Sequence, residues 1–174
     1  MILADAAKAG AVLFAAVVIQ VSVLSSVELL GGLPDLVLVT LVAVALLRGP
    51  MFGAAGGFGA GLLLDTATLG TLGVSSLLLT LAGYWTGRYG ETTGRDRGHA
   101  PFLSVTAVTV LFAVASLLLH FMLGSRPSAG LVLVEALPPT VVLNLLLTAP
   151  AYALCRRLLR PPERVALGEV RLLG

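Results

Sequence analysis

Cysteine is almost missing from this chain of 174 residues: Cys155 stands alone, which excludes an internal disulfide and a thiolate metal cage. Histidine occurs twice, too sparsely for a histidine-rich metal site, and aromatic residues make up only 6%. Charge is scarcer still. Asp, Glu, Lys and Arg together reach 11%, whereas soluble domains carry about 25%. The net charge of +2 comes without any basic tract interleaved with aromatics, so nucleic acid is not an expected partner. Hydrophobic residues fill the space left, at 57% with a mean hydropathy of +1.02. A water-soluble fold of this length has nowhere to bury that excess. The composition is that of an all-α integral membrane protein.

An apolar helix needs ~20 residues to cross ~30 Å of hydrocarbon, and fewer when its ends snorkel. Stretches at 9–27, 33–47, 50–64, 72–89, 101–123 and 131–154 meet or approach this length, giving six expected transmembrane helices. Uninterrupted runs such as "LVLVTLVAVALL" are not the alternating strands of an outer-membrane barrel. The second and third stretches are short, which calls for thinning or tilt around them. "MILADAAKAG" is a weak signal-peptide n-region, and five hydrophobic stretches follow, so the first is read as a retained helix. Residues 1–160 thus form one transmembrane domain, and 161–174 a short basic tail.

Cations set the orientation. Lys8, Arg48, Arg88, Arg95 and Arg97 fall on one side, together with the arginines from Arg156 onward. Arg126 falls on the other, with Glu28, Asp35, Asp65 and Glu135. Six crossings with both termini cytoplasmic satisfy every cation but Arg126, with the loop 90–100 and the tail in the cytoplasm. The tail's basic cluster suits an anionic leaflet surface, and equally a plain stop-transfer anchor.

"GPMFGAAGGFGAGLLLD" places Gly49, Gly53, Gly57 and Gly61 four residues apart, hence on one strip of the third helix. In lipid, helices associate through close van der Waals contact, and glycine permits the closest backbone approach. The strip is therefore a packing groove, filled either by the chain's own helices or by a partner's. The mid-membrane Gly57 favours the first occupant, and the outer end near Gly61 and Asp65 the second.

Asp35 follows Pro34 at the start of the second helix, where an acid suits the helix dipole. Asp65 ends the third helix, where the dipole disfavours it, so backbone N–H groups of the following "TATLGTLG" are its expected partners. Two acids at one membrane face suggest an aspartyl dyad. However, "GLLLD" lacks the G-x-G-D of intramembrane aspartyl proteases, and no catalytic role is assigned. Gln20 and Asn144 fall at matching depth, ~18 Å from the cytoplasmic ends of their helices. They are an expected polar pair between the first and sixth helices, or else a contact for a ligand or partner. His120 is expected at the interface, and Tyr84 or Tyr89 with Trp85 as belt anchors. No Ser-His-Asp set, phosphate loop or H-E-x-x-H is present, so no enzyme, metal or cofactor is expected.

The stretch "GGLPDLVLV" followed by "GPMFGAAGGFGAGLLLDTATLGTLGVSSLLLTLAGY" resembles the MreD family of rod shape-determining proteins. The family's Pro-Asp-Leu corresponds to Pro34, Asp35 and Leu36. Its G-x-x-x-G-F-x-x-G-L-x-x-D run corresponds to Gly53, Gly57, Phe58, Gly61, Leu62 and Asp65, and its following L-G to Leu72 and Gly73. The likeness covers about a third of the chain. It implies a non-catalytic inner-membrane component of the bacterial cell-elongation machinery that supports peptidoglycan synthesis along the cell body. Its implied partner is an MreC-like bitopic protein, with indirect links to an MreB-like filament, a RodA-like glycosyltransferase and its transpeptidase. The family is also distantly similar to the S components of energy-coupling-factor transporters, six-helix bundles with a central pocket. That second likeness implies an alternative function, capture of a small molecule for a transporter.

Overall fold

The computed structural model describes residues 2–24, 31–93, 99–124 and 130–159. Glu28, Arg95, Arg97, Arg126 and the tail expected at 161–174 lie outside the described residues. The helices are α1 (Ile2–Ser22), α2 (Leu36–Arg48), α3 (Pro50–Ala67), α4 (Val74–Thr93), α5 (Ala100–Met122) and α6 (Leu137–Leu158). A π-helical turn, Leu131–Ala136, leads into α6. The protein is all-helical among the described residues, and Asp5–Ser22, Ala100–Met122 and Leu133–Leu158 are long and apolar enough to cross a membrane.

α2 is the hub. All residues from Val37 to Leu46 are buried, and α1, α3, α4, α5 and α6 each pack on it. A 13-residue helix is only ~20 Å long, short of the ~30 Å hydrocarbon core. Its neighbours surround it, so its all-round apolar surface meets side chains rather than lipid, as a fully buried helix requires. Gly49, at φ +96°, ends α2 and donates its N–H to the Ala45 carbonyl at 2.8 Å. Pro50 then opens α3 at once, since its missing N–H costs nothing in a first turn.

Several boundaries differ from expectation for local reasons. The second helix starts at Leu36 rather than 33, because the Asp35 side chain caps it by accepting the Leu38 N–H at 2.9 Å. The third runs to Ala67, which leaves Asp65 in its last turn rather than just past its final residue. The last begins as a wider π-turn. Pro138 and Pro139 cannot donate to the preceding turn, and their rings would clash with carbonyls four residues earlier in an α-helix.

Candidate functional site

The chemistry-bearing residues gather in two places, a clasp around the start of α2 and a seam between α3 and α4. The clasp is built on Gly32–Leu36, a segment with no helical partners of its own. Gln20 of α1 donates its amide to the Pro34 carbonyl at 2.9 Å and accepts the Leu36 N–H at 2.8 Å. From the other side, Asn144 of α6 accepts the Asp35 N–H at 2.8 Å and donates to Thr109 Oγ1 of α5 at 3.1 Å. The Leu33 N–H reaches Thr140 Oγ1 at 3.2 Å. Gly32 abuts α6 so closely that an added Cβ would fall 2.6 Å from the Thr140 nitrogen.

Gln20 and Asn144 therefore do not bond one another as expected. They grip successive peptide groups of Pro34–Asp35–Leu36 from opposite flanks, and matching depth reflects a shared target. Backbone polar groups away from water must find partners. These two amides supply them where helical bonding fails. Thr109 and Thr140 were not legible as members, since lone threonines in apolar helices give no pattern. A cavity of about 280 Å³ adjoins the clasp, lined by Gln20, Asp35, Thr109 and Asn144 among others. Both amides are already engaged at both ends, which leaves the cavity little free polar capacity for recognition.

The seam is an antiparallel crossing whose register the glycines mark. A Cβ on Gly53 would lie 2.7 Å from the Gly83 carbonyl carbon. One on Gly57 would lie 2.5 Å from the Leu79 carbonyl carbon, and one on Gly61 2.5 Å from the Ser76 nitrogen. On the facing helix, a Cβ at Gly87 would come within 2.5 Å of Pro50 Cα. The occupant of the glycine face is thus α4 along its length, Gly61 included, which corrects the expectation that its outer end lies open to a partner. Gly49 is the joint between α2 and α3, and its carbonyl carbon would lie 2.6 Å from a Cβ on Gly87, so it also meets the seam. Gly83 and Gly87, four apart on α4, are the half of the seam left unread, although "GYWTG" has the small-xxx-small spacing.

Asp65 closes the end of this seam where α3 finishes and α4 begins. It is 3% exposed, and its carboxylate accepts the Gly73 N–H at 2.8 Å and the Ser75 N–H at 3.3 Å. These donors open α4, so the acid caps a neighbouring helix's positive end from within α3. Gly73, at φ +96°, turns its N–H toward the carboxylate. Nearby, Ser76 Oγ donates to the Phe58 carbonyl at 3.1 Å, adding a hydrogen bond across the close approach. At the opposite end, Arg48 grips Asp5 of α1 with two contacts of 2.8 and 3.0 Å.

The two aspartates serve different helix starts, Asp35 its own α2 and Asp65 the distant α4. His120 Nδ1 sits 2.8 Å from its own helix's Ser116 carbonyl, and no group of three potential metal-ligating side chains occurs among the described residues. Tyr84 and Trp85 make an edge-to-face pair with centroids 5.9 Å apart.

Not every motif residue points inward. Phe58 is 55% exposed on α3, Met51 76% and Leu62 36%, on a face turned away from the seam glycines. At spacings of seven and four they form one outward stripe.

Polar side chains committed to holding backbone, and glycines committed to helix contact, define a membrane protein whose distinctive residues assemble its own bundle. Residues 9–161 match the family described as rod shape-determining protein MreD, and the chain belongs to that family. No curated protein and no solved structure matches.

Proposed function

We propose that this protein is a non-catalytic scaffold of the cell-elongation machinery in the bacterial inner membrane, where it holds an MreC-like bitopic partner. Through that partner it connects to an MreB-like filament and to a RodA-like glycosyltransferase with its transpeptidase. It crosses the membrane six times with both termini cytoplasmic, and the short helix α2 is accommodated by its neighbours. The observation carrying this reading is the family match over residues 9–161, joined to a site whose polar groups serve structure. The cation distribution supports the orientation.

Because α4 fills the glycine face, the partner's membrane helix is assigned to the face of α3 turned away from it, the stripe Met51–Phe58–Leu62. In lipid, exposed apolar residues are unremarkable singly, but Phe58 and Leu62 belong to the run shared with the family. The alternative, capture of a small molecule, has the 280 Å³ cavity in its favour and the engaged amides against it. Copurification from detergent tests the assignment. A Met51→Ala, Phe58→Ala, Leu62→Ala triple variant should accumulate at the wild-type level and lose the MreC-like protein. Undiminished copurification would move the interface elsewhere.

A further inference from the structure

Along the face of α2 not covered by the seam, α1 and α6 leave a groove of about 530 Å³ between them. Leu36 and Thr40 form its floor, Ala11 and Ala15 one wall, and Ala151 and Leu154 the other. The alanines create the space, since a larger side chain on either wall would close it. Both walls expose apolar surface at the rim, at Ile19 and Leu154, so the groove opens sideways.

Its polarity is one-sided. Lys8 and Arg157 lie together at one end, both exposed, and Ile19 marks the other. Eleven residues separate Lys8 from Ile19 along α1, or ~16 Å. That is about half of a ~30 Å hydrocarbon core, the depth of a single leaflet. A partner's transmembrane helix would need the full thickness; one lipid chain needs only this half. The acid within a turn of Lys8 is Asp5, and Arg48 engages it through both carboxylate oxygens. Among the described residues neither Lys8 nor Arg157 is held in an ion pair, so both can meet an incoming anion.

From this the geometry points to a binding site for one anionic glycerophospholipid, its phosphate between Lys8 and Arg157 and an acyl chain laid over Leu36 and Thr40. Cations fix the headgroup by Coulomb attraction at the interface, where their long stems let them reach it. The groove supplies shape, which a bare basic surface lacks. Because the floor is the hub helix, the lipid bridges α1 and α6 across α2, and its occupancy reports on how these helices sit. The site does not depend on the cell-elongation role.

Native mass spectrometry of the full chain, extracted after reconstitution in mixed phosphatidylglycerol and phosphatidylethanolamine vesicles, tests this. The wild type should retain one phosphatidylglycerol. Ala15→Phe, which fills the groove and keeps both cations, should lower retention about tenfold, as should the Lys8→Gln, Arg157→Gln pair. Ala11→Phe serves should Ala15→Phe fail to fold, with helicity by circular dichroism as the check. Retention unchanged in a folded groove-filling variant would overturn the site and leave a diffuse electrostatic halo. Equal retention of phosphatidylethanolamine by the wild type would overturn the anionic class.

Discussion

Asn144 is fully buried, and both ends of its amide are engaged, by the Asp35 N–H and by Thr109. Removing a partner from buried groups leaves them unsatisfied, at ~1–3 kcal/mol each. Asn144→Leu, close in size but without polar atoms, strands both, and should destabilise the protein by about 2–4 kcal/mol. The measurement is an unfolding midpoint in detergent, and a loss below about 0.5 kcal/mol would contradict the clasp. Asp65 makes a subtler case. An amide at that position keeps one acceptor but turns an NH₂ toward one of the two donating N–H groups. Asp65→Asn should therefore cost about 1–2 kcal/mol and leave the fold in place, whereas Asp65→Ala removes the cap of α4 outright. Equal stability of the two variants would show that the carboxylate does not act through these bonds.

The backbone partnership of Asp65 was legible from sequence because an acid preceding a glycine-rich turn in an apolar chain has few other donors available. The clasp was legible only in part. Position along their helices put Gln20 and Asn144 at one level of the bundle, where both reach Pro34–Leu36, but position along a helix carries no azimuth. Whether two polar side chains meet each other or a third segment depends on packing around α2. The interrupted backbone at Pro34 was the missing clue, since an irregular segment inside a bundle must find partners.

At the scale of helices, the α3–α4 seam makes a paired test, because two neighbouring glycines differ in surroundings. A Cβ at Gly57 would meet the α4 backbone, whereas at Gly59 nothing lies within 4 Å. Backbone cannot yield as a side-chain end can, so Gly57→Leu should separate the helices and forfeit dispersion contacts along the crossing, at a few kcal/mol. Gly59→Leu should be tolerated in the membrane. Comparison of membrane levels and midpoints of the two variants decides it; equal behaviour would deny the seam. The four-residue glycine period on α3 announced one side of this contact, but periodicity identifies a face and never its occupant. Gly83 and Gly87 complete it from a helix whose mixed composition, with Arg88 and Glu91 in its last turns, hides the pattern.

For the molecule as a whole, the cation asymmetry makes a topological prediction. Thr92 is exposed at the end of α4, on the side assigned to the cytoplasm. In a Cys155→Ala background, Thr92→Cys should resist an impermeant thiol reagent in spheroplasts and react after lysis. Reaction before lysis would invert the orientation.

A bundle centred on a short buried helix, with Gln20, Asp35, Asp65 and Asn144 engaged with backbone, is in keeping with the scaffold proposed above. Membership in the MreD family sets that scaffold in shape determination. The direct measurement is cell morphology in a rod-shaped bacterium depleted of this protein. Cells should round up on depletion and regain their cylinders when supplied with the wild type or Asp65→Asn, but not with Gly57→Leu. Cells that stay cylindrical through depletion, while uptake of a small molecule fails, would contradict the account.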